Sequence, residues 1–177
     1  MAMSNGITIR QAKIDDSSSI EEVRREVWLA TYPNDELGIT KADIQTKFKD
    51  LDTNIKKFKS LLMHDRCKKT WVAEVDKKVV GFLTLENSPE KKIIYAIYIL
   101  SEYQRQGIGK EFIGVALEEF KDVEEILLRV STYNKAAIGF YKKHSFKLVP
   151  EIPVDDFLLP SGKKIPVVWM INQMKSD

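Results

Sequence analysis

The stretch Tyr103–Leu117, YQRQGIGKEFIGVAL, places Gln104, Arg105, two glycines and Lys110 directly ahead of an apolar segment. From Ile108 onward, apolar residues recur at 112, 116 and 120 and at 113 and 117, which is the spacing of an amphipathic helix. Glycine lets ligand atoms come close to the backbone, and unpaired N–H groups at a helix N-terminus attract anions. The stretch is therefore either a loop that binds pyrophosphate or a flexible, glycine-containing turn at the start of a helix.

The two commonest phosphate-binding motifs are absent from this loop. Lys110 is followed by Glu111 rather than Ser or Thr, and Gly107-x-Gly109 is followed by Phe112 where a dinucleotide motif requires glycine. The preceding run IIYAIYIL, residues 93–100, predicts a strand buried on both faces. The loop would then lie at the carboxyl end of a strand, where open α/β sheets bind ligands. This position favours the interpretation as a binding loop.

The remaining patterns predict the order β-α-α-β-β-β-α-β-α-β-β. ITIRQ opens the chain as a strand, Asp16 or Ser17 can cap the first helix, and Thr40-x-x-Asp43 has the form of a capping box. Residues 54–63 form a further helical piece, and KTWVAEV-DKK-VVGFLTLE is typical of a hairpin. EILLRVS and FKLVP read as strands, and PSGKKIPVVWMINQM closes with a turn and a strand.

This order predicts one domain of α/β or α+β class, a mixed twisted sheet flanked by helices. Strand–helix–strand units in the middle imply parallel pairing, and the hairpins at both ends imply antiparallel edges. The domain is expected to span residues 1–177, with residues 1–6 an expression remnant or disordered.

Composition excludes several classes of function. With 28 basic and 26 acidic residues, the net charge of +2 argues against nucleic-acid binding by bulk charge. One cysteine, Cys67, excludes an internal disulfide, and with His64 and His144 it leaves no zinc pattern. Cys67 could be a nucleophile, but a structural or surface role is favoured. No apolar run approaches the roughly 18 residues of a membrane span. We expect a cytoplasmic protein without metal, nucleic-acid or membrane partners.

A second informative segment, VSTYNKAAIGFYKKHSF, follows about thirty residues after the loop. Asn134 can cap its helix, and Tyr141 falls on the side shared with Ala137 and His144. A tyrosine beside an anionic cofactor can donate a proton to a leaving group. The alternative is ordinary packing, which is the commoner role of an aromatic side chain on a helix.

Together these segments resemble the GCN5-related N-acetyltransferase (GNAT) superfamily. YQRQGIGKEFI is similar to its motif A, [Q/R]-x-x-G-x-[G/A], through Gln104, Gly107 and Gly109, and the second segment is similar to a later one containing asparagine, alanine and then FY. The resemblance spans nearly the whole chain. It implies a GNAT-like sheet of about seven strands with splayed central strands, and acetyl-CoA as cosubstrate.

The resemblance also implies roles for individual residues. Tyr141 would protonate the departing CoA thiolate after direct attack of a free amine on the thioester. A lysine-like amine is mostly protonated at neutral pH, so a base or an apolar site must release its lone pair. The implied cofactor contacts are Ile97, Tyr98, Ile99, Gln104, Arg105, Gln106, Gly107, Ile108, Gly109, Lys110, Asn134 and Tyr141.

The sequence departs from the family pattern at the general base. Many relatives carry a glutamate on the strand before the loop, whereas the expected positions here hold Ile93 and Tyr95. The nearest acid is Glu86. The predicted route for deprotonating the amine is therefore a water molecule that passes the proton to Tyr95 or Glu86. The alternative is an amine substrate of which a sufficient fraction is already neutral when it binds. A second departure is Ser145, where relatives often have glycine.

The acceptor is expected to bind near the first two helices and the last strands. Trp28 and Tyr32 are the candidate residues, with Glu36 and Trp169 behind them, although each has packing as its alternative role. The predicted function is transfer of acetyl from acetyl-CoA to a primary amine of a small molecule or peptide. The alternatives are a non-catalytic acyl-CoA-binding regulatory module and transfer of a longer acyl chain. A homodimer is left open.

Overall fold

The computed structural model describes residues 6–150 and 155–174. Within these residues the chain forms eight strands and five helices, with short 3-10 turns at 14–16, 46–48 and 101–103. In chain order the elements are β1 (Ile7–Gln11), α1 (Ser17–Thr31), α2 (Lys41–Gln45), α3 (Leu51–His64), β2 (Lys68–Val75), β3 (Lys78–Asn87), β4 (Lys92–Ile99), α4 (Ile108–Glu119), β5 (Glu125–Ser131), α5 (Lys135–Lys143), β6 (Lys147–Leu148), β7 (Asp155–Leu158) and β8 (Lys164–Gln173).

The strands form one mixed sheet in the order β1-β2-β3-β4-β5-β8-β6, with β7 also pairing β8. Strands β4 and β5 are parallel, and every other pair is antiparallel. The predicted fold class is confirmed. The strand count was wrong, because eight strands replace about seven. The three helices between β1 and β2 were each predicted as a helical segment, including the piece at 54–63, although the predicted element order counted only two of them. The missed strand β7 is four residues long and is defined by its pairing with β8, which the sequence pattern does not reveal.

The two central parallel strands separate soon after they begin. Strand β4 pairs with β5 only at Ile93 and Ile94, opposite Leu127 and Leu128. On its other side β4 stays paired with β3, but the register steps from Ile94 to Ala96, so that residue 95 is an extra residue in β4. Such a bulge bends and twists the strand that carries it. The carboxyl halves of β4 and β5 therefore diverge, and a cleft opens between them.

This cleft corrects the prediction that β4 is buried on both faces. Ile93 and Ile94 are buried, but residues 96–99 are only partly buried and Tyr95 is 54% exposed. The apolar run signals a strand that lines an open cleft rather than one covered by helices on both sides. Periodicity alone does not separate these two situations.

Two groups of buried side chains stabilise the sheet. The larger group joins α1, α3, α4 and α5 to the strands and includes Phe82, Phe112 and Ile126, each at most 1% exposed. The smaller group, centred on Trp28, brings α1, α2 and the start of β8 together. The smaller group fixes the helices at the mouth of the cleft.

Local signals at helix starts were mostly read correctly. Thr40 and Asp43 form the predicted capping box, and the Asn134 side chain accepts a hydrogen bond from the Ala137 N–H at 3.1 Å. Asp16 occupies the N-cap of α1, but its carboxylate pairs with Arg10 instead of capping the helix.

Of the predicted segment 1–6, all but Gly6 lie outside the described residues. Among the helices that the structure describes, none is long and apolar enough to cross a membrane.

Candidate active site

The glycine loop presents a row of unpaired backbone donors. After β4 the chain makes the turn at 101–103 and enters α4 at Ile108. Within the described residues, the six consecutive N–H groups of residues 105–110 donate no hydrogen bond. The loop is mostly exposed, so a ligand can reach these groups. Unpaired N–H groups at the start of a helix, with the helix dipole behind them, form an anion-binding site.

The two glycines of the loop are required for different reasons. Gly107 has φ = +95°, a left-handed conformation that glycine adopts without strain, and an added Cβ there would meet nothing within 4 Å. Gly109 has no such backbone requirement, but a Cβ there would lie 3.0 Å from Cζ and 3.1 Å from Cε2 of Phe140. Gly107 therefore shapes the turn, while Gly109 lets α4 approach α5.

The loop carries two glutamine side chains that form hydrogen bonds within the loop and two basic side chains that are exposed. Gln104 Nε2 donates to the Ile99 carbonyl oxygen at 3.0 Å, and Gln106 Nε2 donates to the Glu102 carbonyl oxygen at 2.8 Å. These two amides hold the loop in shape. Arg105 has a left-handed φ of +60° and, like Lys110, an exposed side chain.

Lys110 also links the loop to α5 electrostatically. The pKa of His144, at the end of α5, is lowered by burial and by the nearby positive charge of Lys110. The start of α4 and the end of α5 therefore share one environment. The structure thus brings the loop and the second predicted segment together.

Tyr141 lies on α5 with only 8% of its surface exposed. Its ring packs against Phe140 and Phe146 at centroid distances of 5.3 and 5.8 Å. Burial raises the pKa of Tyr141, with a smaller contribution from Tyr98. The hydroxyl therefore keeps its proton over the physiological range, where it can act as a proton donor but not as a phenolate base. Asn134, at the start of the same helix, uses its side-chain oxygen as the cap.

A cavity of about 140 Å³ lies between the sheet and the helices α1 and α3. It reaches Ala96 and Tyr98 on β4 and Ser131 on β5, next to the point where the two strands part. Seven of the sixteen lining residues are aromatic, and two cations on α1 and the 46–48 turn face the cavity. The lining residues are Arg24, Trp28, Tyr32, Lys47, Phe58, Leu61, Phe82, Thr84, Tyr95, Ala96, Tyr98, Arg129, Ser131, Phe157, Ile165 and Val167.

Both residues predicted to bind the acceptor line this cavity. The rings of Trp28 and Tyr32 lie 4.5 Å apart, and the Tyr133 hydroxyl donates to the Tyr32 carbonyl oxygen at 2.8 Å. Burial raises the pKa of Tyr32. Trp169 instead stacks on Arg129 at 5.3 Å, and Glu36 is an exposed turn residue, so neither lines the cavity.

The two candidates for the proton relay are placed differently. Tyr95, the extra residue of the β4 bulge, lines the cavity. Glu86 does not line it and pairs with Lys68 at 3.6 Å. Lys68 Nζ in turn lies 5.1 Å from the centre of the Tyr95 ring. The two candidates are therefore joined through a lysine rather than in direct contact.

Sequence reasoning missed the cationic part of the cavity. Arg24 lies one helical turn before Trp28 on α1, so the i, i+4 spacing could have revealed it once Trp28 was chosen. Lys47 carries no such signal, because the packing of its turn against α1 and β7 is a long-range feature. Cys67, whose nucleophilic role was left open, is exposed and lies outside the cavity.

Comparison with known proteins agrees with this geometry. The sequence matches the acetyltransferase (GNAT) family model over residues 21–146, well over half of its length. The chain belongs to the GNAT family. It is 35% identical over 94 residues to an N-alpha-acetyltransferase of Sulfurisphaera tokodaii, a match that covers 45% of this chain and only 56% of the relative. The chain thus spans little more than half the length of that relative.

Two further similarities from Thermoplasma acidophilum cover almost the whole chain. The sequence is 26% identical to a spermidine N(1)-acetyltransferase over 86% of this chain and 95% of the relative. The structure superposes on a PaiA N-acetyltransferase solved in complex with coenzyme A, with a TM-score of 0.68 at 25% identity. That superposition covers 94% of this chain and 98% of the other.

Proposed function

We propose that this GNAT protein transfers the acetyl group of acetyl-CoA to a primary amine of a small molecule or peptide. The observation that carries the proposal is the row of six N–H groups from Arg105 to Lys110 at the start of α4, none of which donates to a residue that the structure describes. A pyrophosphate matches such a row because it offers several charged acceptor oxygens. Side chains of Arg105 and Lys110 add positive charge. The remaining loop residues of the cradle are Gln104, Gln106, Gly107, Ile108 and Gly109.

The diverging strands support the same cofactor. Beyond Ile94, β4 makes no strand pairing with β5, which leaves backbone groups on the β5-facing side of Ile97, Tyr98 and Ile99 for an extended ligand. The pantetheine arm of acetyl-CoA is such a ligand, and it would bind there as an added strand. Asn134 caps α5 at the other side of the cleft, and in this proposal it contacts the cofactor near β5.

In the proposed chemistry, the amine nitrogen forms a bond to the thioester carbon while the carbonyl electrons move to oxygen. Backbone N–H groups of β4 beside the cleft would stabilise this oxyanion. Collapse of the intermediate breaks the carbon–sulfur bond, and Tyr141 donates its proton to the leaving thiolate. The proton lost by the amine passes to water near Tyr95, and the Glu86 carboxylate, which is ion-paired to Lys68, is the further proton acceptor of the relay.

The test begins with cofactor binding measured by calorimetry. Acetyl-CoA is expected to bind at least about tenfold more tightly than acetyl-pantetheine, which lacks the pyrophosphate, because charged hydrogen bonds to the loop are lost. No binding of acetyl-CoA at high micromolar concentration would overturn the proposal. Binding without CoA release against polyamines, amino acids, aminoglycosides and peptides would instead indicate a non-catalytic acyl-CoA-binding module.

A further inference from the structure

The acceptor cavity has an excess of positive charge near its helical wall. Lys47 Nζ lies 4.8 Å from the centre of the Trp28 ring and 4.7 Å from that of Phe157. Arg24, close enough to Lys47 to act on its charge, lines the same wall. The acid beside them is Glu21, which is fully buried behind Arg24 and accepts from its Nη2 at 2.7 Å. One carboxylate thus faces two cations.

This arrangement disfavours the charged form of Lys47. Burial lowers the pKa of Lys47 to about 8, and the positive charges of Arg24 and Lys57 act in the same direction, while Glu21 opposes them. Two neighbouring cations in a partly buried site repel each other, and an anion placed between them removes that repulsion. The wall therefore has a net electrostatic preference for an anionic group.

Hydrogen-bond donors in the cavity wall also lack partners. Arg24 Nε and Trp28 Nε1 are buried and form no hydrogen bond with the described residues, and neither does the acceptor Glu21 Oε2 behind Arg24. The Ser131 hydroxyl is also buried, and Tyr133 lies close to it without hydrogen-bond geometry. Burial raises the pKa of Tyr98, and the nearby Trp28 side chain acts in the opposite direction. The contact between Trp28 Nε1 and Tyr98 nevertheless lacks hydrogen-bond geometry. Buried donors without partners are uncommon, and a ligand that accepts from them is a ready explanation.

We propose that the acceptor amine also bears a carboxylate on an apolar or aromatic frame. This inference rests on the proposed acetyltransferase function and narrows its substrate class. The carboxylate binds between Arg24 and Lys47 and accepts from Arg24 Nε, and the frame packs on Trp28 and Phe157. The amine then points toward Ser131, at the carboxyl end of β5 beyond the point where β4 and β5 part. Polyamines such as spermidine, the acceptor named for one Thermoplasma relative, would place a cation against this wall and bind poorly.

The direct test uses probes that need no turnover. Phenylacetate and its neutral amide, phenylacetamide, are titrated into the CoA-saturated protein by calorimetry. Phenylacetate is expected to bind at least about tenfold more tightly, because its hydrogen bonds to charged donors are the stronger ones. Lys47→Met should remove most of this difference and Lys47→Arg should keep it. Equal binding of the two probes, or an unchanged ratio in Lys47→Met, would overturn the proposal.

Two further measurements separate this proposal from the one on which it rests. Acetyl-CoA affinity and thermal unfolding of Lys47→Met report whether the variant is folded and binds cofactor. Phenylalanine is then compared with phenylalaninamide and spermidine for CoA release. The amide has the less basic amine, so a preference for the acid is not due to amine ionisation. A preference for spermidine overturns the carboxylate proposal but leaves acetyl transfer intact, whereas failure to bind acetyl-CoA overturns both.

Discussion

The N–H of Phe146 donates to the carbonyl oxygen of Tyr141 at 3.1 Å, across the end of α5. The N–H of Ser145 donates to the carbonyl oxygen of Lys142 at 3.2 Å, so the two bonds form the Schellman motif that ends many helices. The accompanying contact between the rings of Phe146 and Tyr141 is also present. The proposed proton donor is therefore fixed by the backbone at the end of its own helix.

The Schellman motif leads to a prediction about Ser145. This residue has φ = +68°, a left-handed conformation that costs a side chain about 1–2 kcal/mol. Ser145→Gly removes this strain but loses roughly 0.5–1 kcal/mol through greater freedom of the unfolded chain. We expect a net gain of about 0.5–1 kcal/mol in the free energy of unfolding, measured in urea.

Ser145→Ala is the matched control for that prediction, because it removes the hydroxyl and keeps the Cβ. Its stability should not rise. A gain equal to that of the glycine variant would show that the hydroxyl, and not the backbone conformation, is the source of the effect.

A second prediction concerns the contact between α4 and α5. In Gly109→Ala the new Cβ would lie 3.0 Å from the Phe140 ring, so that either this ring shifts by a few tenths of an ångström or α4 and α5 move apart. Because the first turn of α4 carries the unpaired N–H groups, we expect acetyl-CoA affinity to fall about tenfold, and the free energy of unfolding to fall by about 1–3 kcal/mol. Calorimetry and urea unfolding measure the two effects.

The chain provides a matched control on the same helix. Gly114 is exposed, and a Cβ there would meet nothing within 4 Å, so Gly114→Ala is expected to stabilise by roughly 0.5–1 kcal/mol and leave affinity unchanged. The double variant Gly109→Ala/Phe140→Leu replaces the opposing ring with a smaller side chain, so it should regain part of the acetyl-CoA affinity that Gly109→Ala loses. If Gly109→Ala binds acetyl-CoA as well as Gly114→Ala, the packing explanation is wrong.

How much of this molecule the sequence could predict depends on how local each feature is. The cap at Asn134 and the start of α4 depend on residues within a turn of each other, and both were predicted correctly. The bulge at Tyr95 and strand β7 depend on pairing with distant strands, and the sequence pattern gave no sign of them. The approach of Lys47 to Trp28 is equally non-local, since it joins the 46–48 turn to α1.

A third prediction tests Tyr141 as the proton donor. Tyr141→Phe removes the hydroxyl and keeps the ring, so kcat should fall about 10- to 100-fold while acetyl-CoA affinity stays within about twofold. Since burial raises the pKa of Tyr141, the wild-type protein should show no loss of kcat from deprotonation of this residue below about pH 10. Steady-state kinetics across pH 6–10 check both statements. An unchanged kcat in the variant would assign Tyr141 to packing alone.

The lowered pKa of Lys47 predicts how stability depends on pH. The folded protein holds the Lys47 proton with a pKa of about 8, below the ordinary 10.5, so between these values the unfolded chain binds more protons and stability rises with pH. Below about pH 8 the cost of the buried charge is fully present. Lys47→Met should therefore stabilise the protein most at pH 7 and progressively less toward pH 10, as measured by urea unfolding at constant ionic strength. Lys49→Met, at an exposed position two residues away, is the control, and a change in the stability of Lys47→Met that is the same at every pH would contradict the prediction.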